Sequence, residues 1–159
     1  MENLTPRRLV LLAAFGSAAV LAGALLFQAA GYAPCDLCIL QRWPHLAAVL
    51  IGAAILLLRL PMVTALLGAL AAATTGAIGV YHSGVERKIF EGPDSCTSNG
   101  VANLSVEDLL AQIEAAPLVR CDEIPWEMFG VTMANLNAIG SFVLAGIWLW
   151  AFIRARKSA

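Results

Sequence analysis

Apolar positions along the chain gather into four long runs separated by polar segments of unequal length. Leu9 to Phe27 and Met62 to Tyr81 carry no charged residue, and each approaches the roughly 20 residues needed to cross about 30 Å of hydrocarbon. Pro44 to Leu58 is shorter, but Arg42 and Arg59 bracket it and their long side chains reach toward the two interfaces. Leu136 to Ile153 includes Trp148 and Trp150 and is followed by the basic residues Arg154, Arg156 and Lys157. The pattern predicts an all-α membrane protein, a four-transmembrane-helix bundle with two external cysteine-bearing loops. It reads as a single integral membrane domain over 1–159, with spans at about 9–28, 43–59, 62–81 and 134–153 and external loops at about 29–42 and 82–133.

Composition agrees. Hydrophobic residues make up 60% of the 159 and charged residues 13%, against roughly 45–50% and about 25% in soluble domains. The net charge of −1 and the lack of a recurring basic block remove nucleic acid as a partner. With both termini in the cytoplasm, six of the ten Lys and Arg fall on short inner segments, and the positive-inside rule fixes that orientation. A cleaved signal peptide is the alternative for the first run, given Arg7-Arg8 and the small residues Ala29-Ala30-Gly31. The run exceeds the roughly 7–15 residues of a signal core and a second span follows at once, so it is kept as a span.

In this topology all four cysteines face outward, Cys35 and Cys38 in the first loop and Cys96 and Cys121 in the second, where thiols can oxidise. Cys35-Asp36-Leu37-Cys38 is a C-x-x-C, a spacing found in dithiols that cycle between oxidation states. A structural zinc site wants a second ligand pair at similar spacing, and Cys96 and Cys121 stand far apart. A metal clamp from Cys35, Cys38, His45 and His82 is the alternative. Haem attachment needs His directly after the second Cys, and Ile39 stands there. A Cys96–Cys121 bridge would close a loop of about 25 residues and stabilise by roughly 3–4 kcal/mol, which suits a passive staple equally well. Two disulfides facing one compartment, however, can pass electrons by exchange.

Within the second loop, Ser105-Val106-Glu107-Asp108 resembles a capping box. Val106, Leu109, Leu110 and Ile113 follow at helical spacing until Pro117, which predicts a short amphipathic surface helix. No nucleotide-binding glycine motif is present, so an electron acceptor comes from solvent or membrane. Arg42, four residues after Cys38, is placed to favour a thiolate or a reduced oxygen on a bound ring. His82, at the outer end of the third span, is placed to donate to a carbonyl in the same plane. His45 is left out of the site.

Pro34-Cys35-Asp36-Leu37-Cys38 followed by Arg42, four spans and a long second loop with one Cys pair resemble the disulfide bond formation protein B (DsbB) family of bacterial inner membranes. Cys121 to Asn137, with Trp126, Phe129-Gly130 and Met133-Ala134, is similar to the run that enters the last span in that family. The resemblance implies a thiol:quinone oxidoreductase. Cys96 would form the mixed disulfide with a periplasmic thioredoxin-fold dithiol oxidase (DsbA-like), and Cys121 would be its pair. Electrons would pass through an interloop disulfide to Cys35 and Cys38, and from Cys38 to a membrane quinone, ubiquinone or menaquinone, beside Arg42 and His82. No metal is expected. The implied location is the bacterial inner membrane, multi-pass, with the cysteine loops periplasmic. A paralogue with a dedicated partner, or a non-enzymatic scaffold or metal-handling protein with structural cysteines, remains the competing reading.

Overall fold

The computed structural model describes residues 4–93, the single positions 105, 107 and 110, and residues 119–157. Cys96 and most of the expected surface helix over 105–113 lie outside the described residues, although Glu107 and Leu110 are helical. Among the described residues, four helices are long and apolar enough to cross a membrane: α1 (Pro6–Ala29), α2 (Asp36–Leu57), α3 (Ala65–Glu86, entered through the 3₁₀ turn Met62–Thr64) and α4 (Met133–Lys157). At 22–25 residues each they measure about 33–38 Å.

Local chemistry sets the ends. Thr5 caps α1, its hydroxyl accepting from the Arg8 amide at 3.4 Å, with Pro6 in the first turn where no backbone donor is needed. Three basic residues, Arg154, Arg156 and Lys157, close α4 at the negative end of its dipole. The helix carrying the second span begins at Asp36 rather than near 43, with Cys35 as its cap and Asp36 in the first turn. Pro44 therefore lies inside α2 instead of starting it, a position that transmembrane helices tolerate. The C-x-x-C is thus a helix N-terminus rather than part of a loop.

The helices form a ring in which α1 packs on α2 and α4, and α3 packs on α2 and, most extensively, on α4. At the end away from the cysteines the interior is apolar, built from Leu9, Val10, Ile55, Leu144 and Trp148 among alanines. Small residues permit the close approach that drives helix association in lipid. Gly68 faces the Trp148 ring, where a Cβ would stand 2.6 Å from it, and Gly52 rests against Ala14. Large side chains such as Phe15, Leu26 and Leu70 point outward, as a lipid-facing surface requires. Polar groups do the opposite and are buried: Gln41, His45, Thr75, His82 and Ser141.

Between α3 and α4 at the cysteine end lies a hairpin, β1 (Glu127–Met128) paired antiparallel with β2 (Val131–Thr132). Its turn residues Phe129 and Gly130 both have positive φ, 52° and 77°, the pattern of a two-residue type I′ connection. Arg87 donates to the Gly130 carbonyl at 2.7 Å, and Thr132 Oγ1 donates to Glu86 at 2.6 Å. These two bonds fix the hairpin on the end of α3, and Trp126 packs edge-on against Phe27 of α1.

Candidate functional site

Cys35 ends the turn from α1 with an extended backbone and caps α2, its sulfur accepting from the Cys38 amide at 3.3 Å. The two thiols are free and their sulfurs are 2.9 Å apart, with Cys35 donating to Cys38. That hydrogen bond, together with burial, pushes the Cys35 thiol well above its ordinary value. Cys35 is buried, whereas Cys38, one turn into the helix, is partly open. His82 Nε2 stands 3.5 Å from the Cys35 sulfur and 3.9 Å from Glu86.

Behind the dithiol runs a chain of buried amides whose direction two backbone carbonyls determine. Gln41 Nε2 donates to Leu37 O at 3.1 Å, and Asn137 Nδ2 faces Thr75 O at 3.3 Å. A carbonyl only accepts, so both amide nitrogens must face these oxygens. Gln41 Nε2 then also donates to His82 Nδ1 at 2.9 Å, which leaves the His82 hydrogen on Nε2, toward Cys35 and the Cys121 backbone carbonyl. Asn137 Nδ2 donates to Gln41 Oε1 at 2.6 Å, so Asn137 Oδ1 is free to accept from His45 Nε2 at 2.9 Å. Thr75 Oγ1 donates to the Gln41 carbonyl, and Ser141 closes the far end beside His45 and Asn137. Six side chains from three helices thereby hold one another in register.

A cavity of about 300 Å³ opens between α1, α2 and α4 on the other side of these residues, at the small end of the roughly 300–1,000 Å³ of ligand sites. Cys38, Arg42 and His45 line it from α2, Phe27 from α1, Tyr32 from the turn after α1, His82 from α3, and Met133 and Asn137 from α4. Arg42 donates to Gln28 of α1 at 2.8 Å through Nη1, while its Nε is buried without a partner. His45 is 1% exposed, and its Nδ1 is likewise buried without a partner. Gln41 and His82 add polar atoms to the wall, and the rest of it is apolar, so the cavity fits a largely apolar ring that brings its own polar atoms.

Cys121, from the second loop, is disulfide-bonded and fully buried in one cluster with Cys35, Leu37 and Val85. Arg120 and Asp122 bracket it and pair with each other at 2.7 and 2.9 Å. The hydrogen bonds from Arg120 hold the Asp122 carboxyl below the usual carboxylate range.

Cys35, Cys38, Cys121, Arg42 and His82 thus come together at one end of the bundle, and Cys96 lies outside the described residues. Of the alternative metal set, Cys35, Cys38 and His82 offer ligand atoms within 4.8 Å of one another, without His45. A metal on His82 would need Nε2 stripped of its hydrogen and the Gln41 amide turned against Leu37 O, which opposes that reading. Sequence reasoning missed Gln41, Asn137 and His45. Their signal was the apolar stripe's own spacing: Cys38, Gln41, Arg42 and His45 fall at i, i+3, i+4 and i+7, one face of a helix.

Fold and site define a multi-pass helical membrane protein with a free dithiol at a helix terminus, packed against a second, disulfide-bonded cysteine. The family model of disulfide bond formation protein DsbB matches residues 6–151, and the chain belongs to that family. An uncharacterized protein of Rickettsia prowazekii is 27% identical over 111 residues, which cover 68% of this chain and 64% of that relative, just under two thirds of its length. No solved structure matches.

Proposed function

We propose that the protein is a thiol:quinone oxidoreductase of the bacterial inner membrane, oriented with both termini cytoplasmic and its cysteines periplasmic. In this reading it reoxidises a thioredoxin-fold dithiol oxidase and so sustains disulfide formation. One observation carries this most directly: Cys38 of the free dithiol lines a largely apolar cavity that Arg42 and His82 also line, a wall that suits an oxygen-bearing ring.

The reduced partner attacks the disulfide of Cys121, whose other half we assign to Cys96, with Cys96 forming the mixed disulfide. Resolution closes the partner's disulfide and leaves Cys96 and Cys121 as thiols. The burial of Cys121 against Cys35 supports exchange between the two pairs through an interloop bond. As Cys35 and Cys38 close their own disulfide, two S–H bonds break, one S–S bond forms, and two electrons and two protons leave. Cys35, donating its hydrogen to Cys38, favours negative charge on the Cys38 sulfur, and Arg42 favours it from the cavity side. The His82 Nε2–H, held by Gln41, stands between the Cys35 sulfur and the Cys121 backbone and keeps the two cysteines' segments together. Bound quinone supplies the sink for both electrons and both protons.

The test is anaerobic. The full-length protein is reduced, freed of reductant and given a soluble ubiquinone analogue, while quinone absorbance and free thiols are followed together. Two thiols lost per quinone, and none in Cys38→Ser, supports the proposal. Unchanged quinone with a folded sample sends the dithiol back to a structural or metal-handling role.

A further inference from the structure

Three glycines of the bundle mark close contacts between helices. A Cβ at Gly16, Gly52 or Gly68 would collide with Leu144, Ala14 or Trp148. Gly23 of α1 is of another kind, because a Cβ there meets nothing within 4 Å. Glycine inside a helix is less favourable than alanine, and no close approach accounts for this one. Gly140 and Gly146 of α4 are equally open but take no part in the cavity wall, whereas Gly23 does. Val20, Gly23, Ala24 and Phe27 recur at i, i+3, i+4 and i+7; all four line the cavity and all are half-buried. Ala22 and Leu25, on the other faces of α1, are exposed. The open space at Gly23 is therefore the cavity.

Helix packing gives its depth. Gly52 of α2 rests against Ala14 of α1, 16 residues from Asp36 on one helix and 15 from Ala29 on the other, so the cysteine ends of the two helices are level. Gly23, six residues in from Ala29, thus lies at the level of Arg42, six residues in from Asp36, and one turn, about 6 Å, deeper than Cys38. The reacting end of a ligand has to meet the Cys38 sulfur, so what faces Gly23 is the part that runs inward from it. We propose that Gly23 is a specificity-determining position: its missing side chain makes room for an apolar chain carried by the ring, which passes inward along α1. This rests on the proposed function, since it takes a quinone-class ring as the occupant. The cavity then selects a lipid-borne ligand over a chainless ring of the same chemistry.

The experiment measures equilibrium affinity of the oxidised, full-length protein in one detergent for decyl-ubiquinone and for the same dimethoxy-methyl-benzoquinone ring without a chain. Gly23→Ala and Gly23→Leu should unfold no earlier than wild type, since the added groups enter open space. Decyl-ubiquinone should bind more weakly in order of side-chain volume, by tenfold or more in Gly23→Leu. The chainless ring should change by less than threefold. Gly140→Leu adds the same side chain away from the cavity and should alter neither affinity. Equal weakening of both ligands in Gly23→Leu would put the ring itself at this position and overturn the inference. Undiminished affinity for decyl-ubiquinone would also overturn it, and either result leaves the proposed function standing. Earlier unfolding of Gly23→Ala would show a packed position and overturn it as well. Binding of neither ligand by wild type would remove both the inference and the proposed function.

Discussion

Gln41 and Asn137, 96 residues apart in sequence, share a 2.6 Å hydrogen bond across the interior of the bundle. The bond joins α2 to α4 and relays a fixed polarity in both directions, to His82 beside the cysteines and to His45 beside the cavity. One buried amide pair thus sets the hydrogen-bonding character of both histidines.

Gln41→Leu should strand His82 Nδ1 and one N–H of the Asn137 amide, whose nitrogen keeps Thr75 as a partner. A buried group left unsatisfied costs about 1–3 kcal/mol, so thermal unfolding in detergent should report a clear destabilisation along with slower dithiol oxidation. A variant as stable as wild type would show that the chain is not held by this residue.

Packing around Trp148 gives a contrast between two glycines. Gly68→Ala places a methyl 2.6 Å from the ring and should destabilise by about 1–3 kcal/mol. Gly140→Ala meets nothing within 4 Å and should be neutral or slightly stabilising through helix propensity. Equal effects at the two sites, read by unfolding midpoint, would contradict the close approach of α3 and α4.

Cysteine order is tested by trapping. In Cys121→Ser the unpaired Cys96 thiol can attack the oxidised partner's disulfide, and no Cys121 thiol is left to displace the partner from Cys96, so a covalent adduct with a periplasmic dithiol protein should accumulate on non-reducing gels. Its disappearance in the Cys96→Ser, Cys121→Ser double variant is required. An adduct that persists there would move the entry point to Cys35 or Cys38.

Acid should loosen the turn around Cys121. The Asp122 carboxyl is held below its unfolded value by Arg120, so its contribution is complete above the unfolded value of about 3.9 and is lost as pH falls through the folded one. A phosphine reductant, active in acid, should reduce the Cys121 disulfide more slowly in wild type than in Asp122→Asn above pH of about 5. The two rates should converge only as pH falls below the ordinary carboxylate range. A ratio of one at every pH would dismiss the pair as a clamp.

Four spans, the cysteine end and the Cys35, Cys38, Arg42 stripe were legible because apolar run length and cysteine spacing are properties of neighbouring residues. Gln41, Asn137 and Thr75 were not, because a polar residue in an apolar run reads the same whether it faces lipid, a cavity or a partner 96 residues away. His45 was dropped for want of a neighbour in sequence, yet its partners Asn137 and Ser141 come from the last helix. The start of α2 lies ahead of the apolar run because its first turns carry the polar residues Asp36, Gln41 and Arg42, and its cap is the Cys35 sulfur.

The buried polar chain stops at Ser141 and Thr75, and beyond it the described interior is the apolar cluster of Leu9, Ile55, Leu144 and Trp148. No continuous line of donors and acceptors among the described residues crosses that half. On the proposed reaction, protons shed by the thiols and protons taken up at the cavity belong to one side of the bilayer. Turnover is then electrically silent, neither drawing on the membrane voltage nor adding to it.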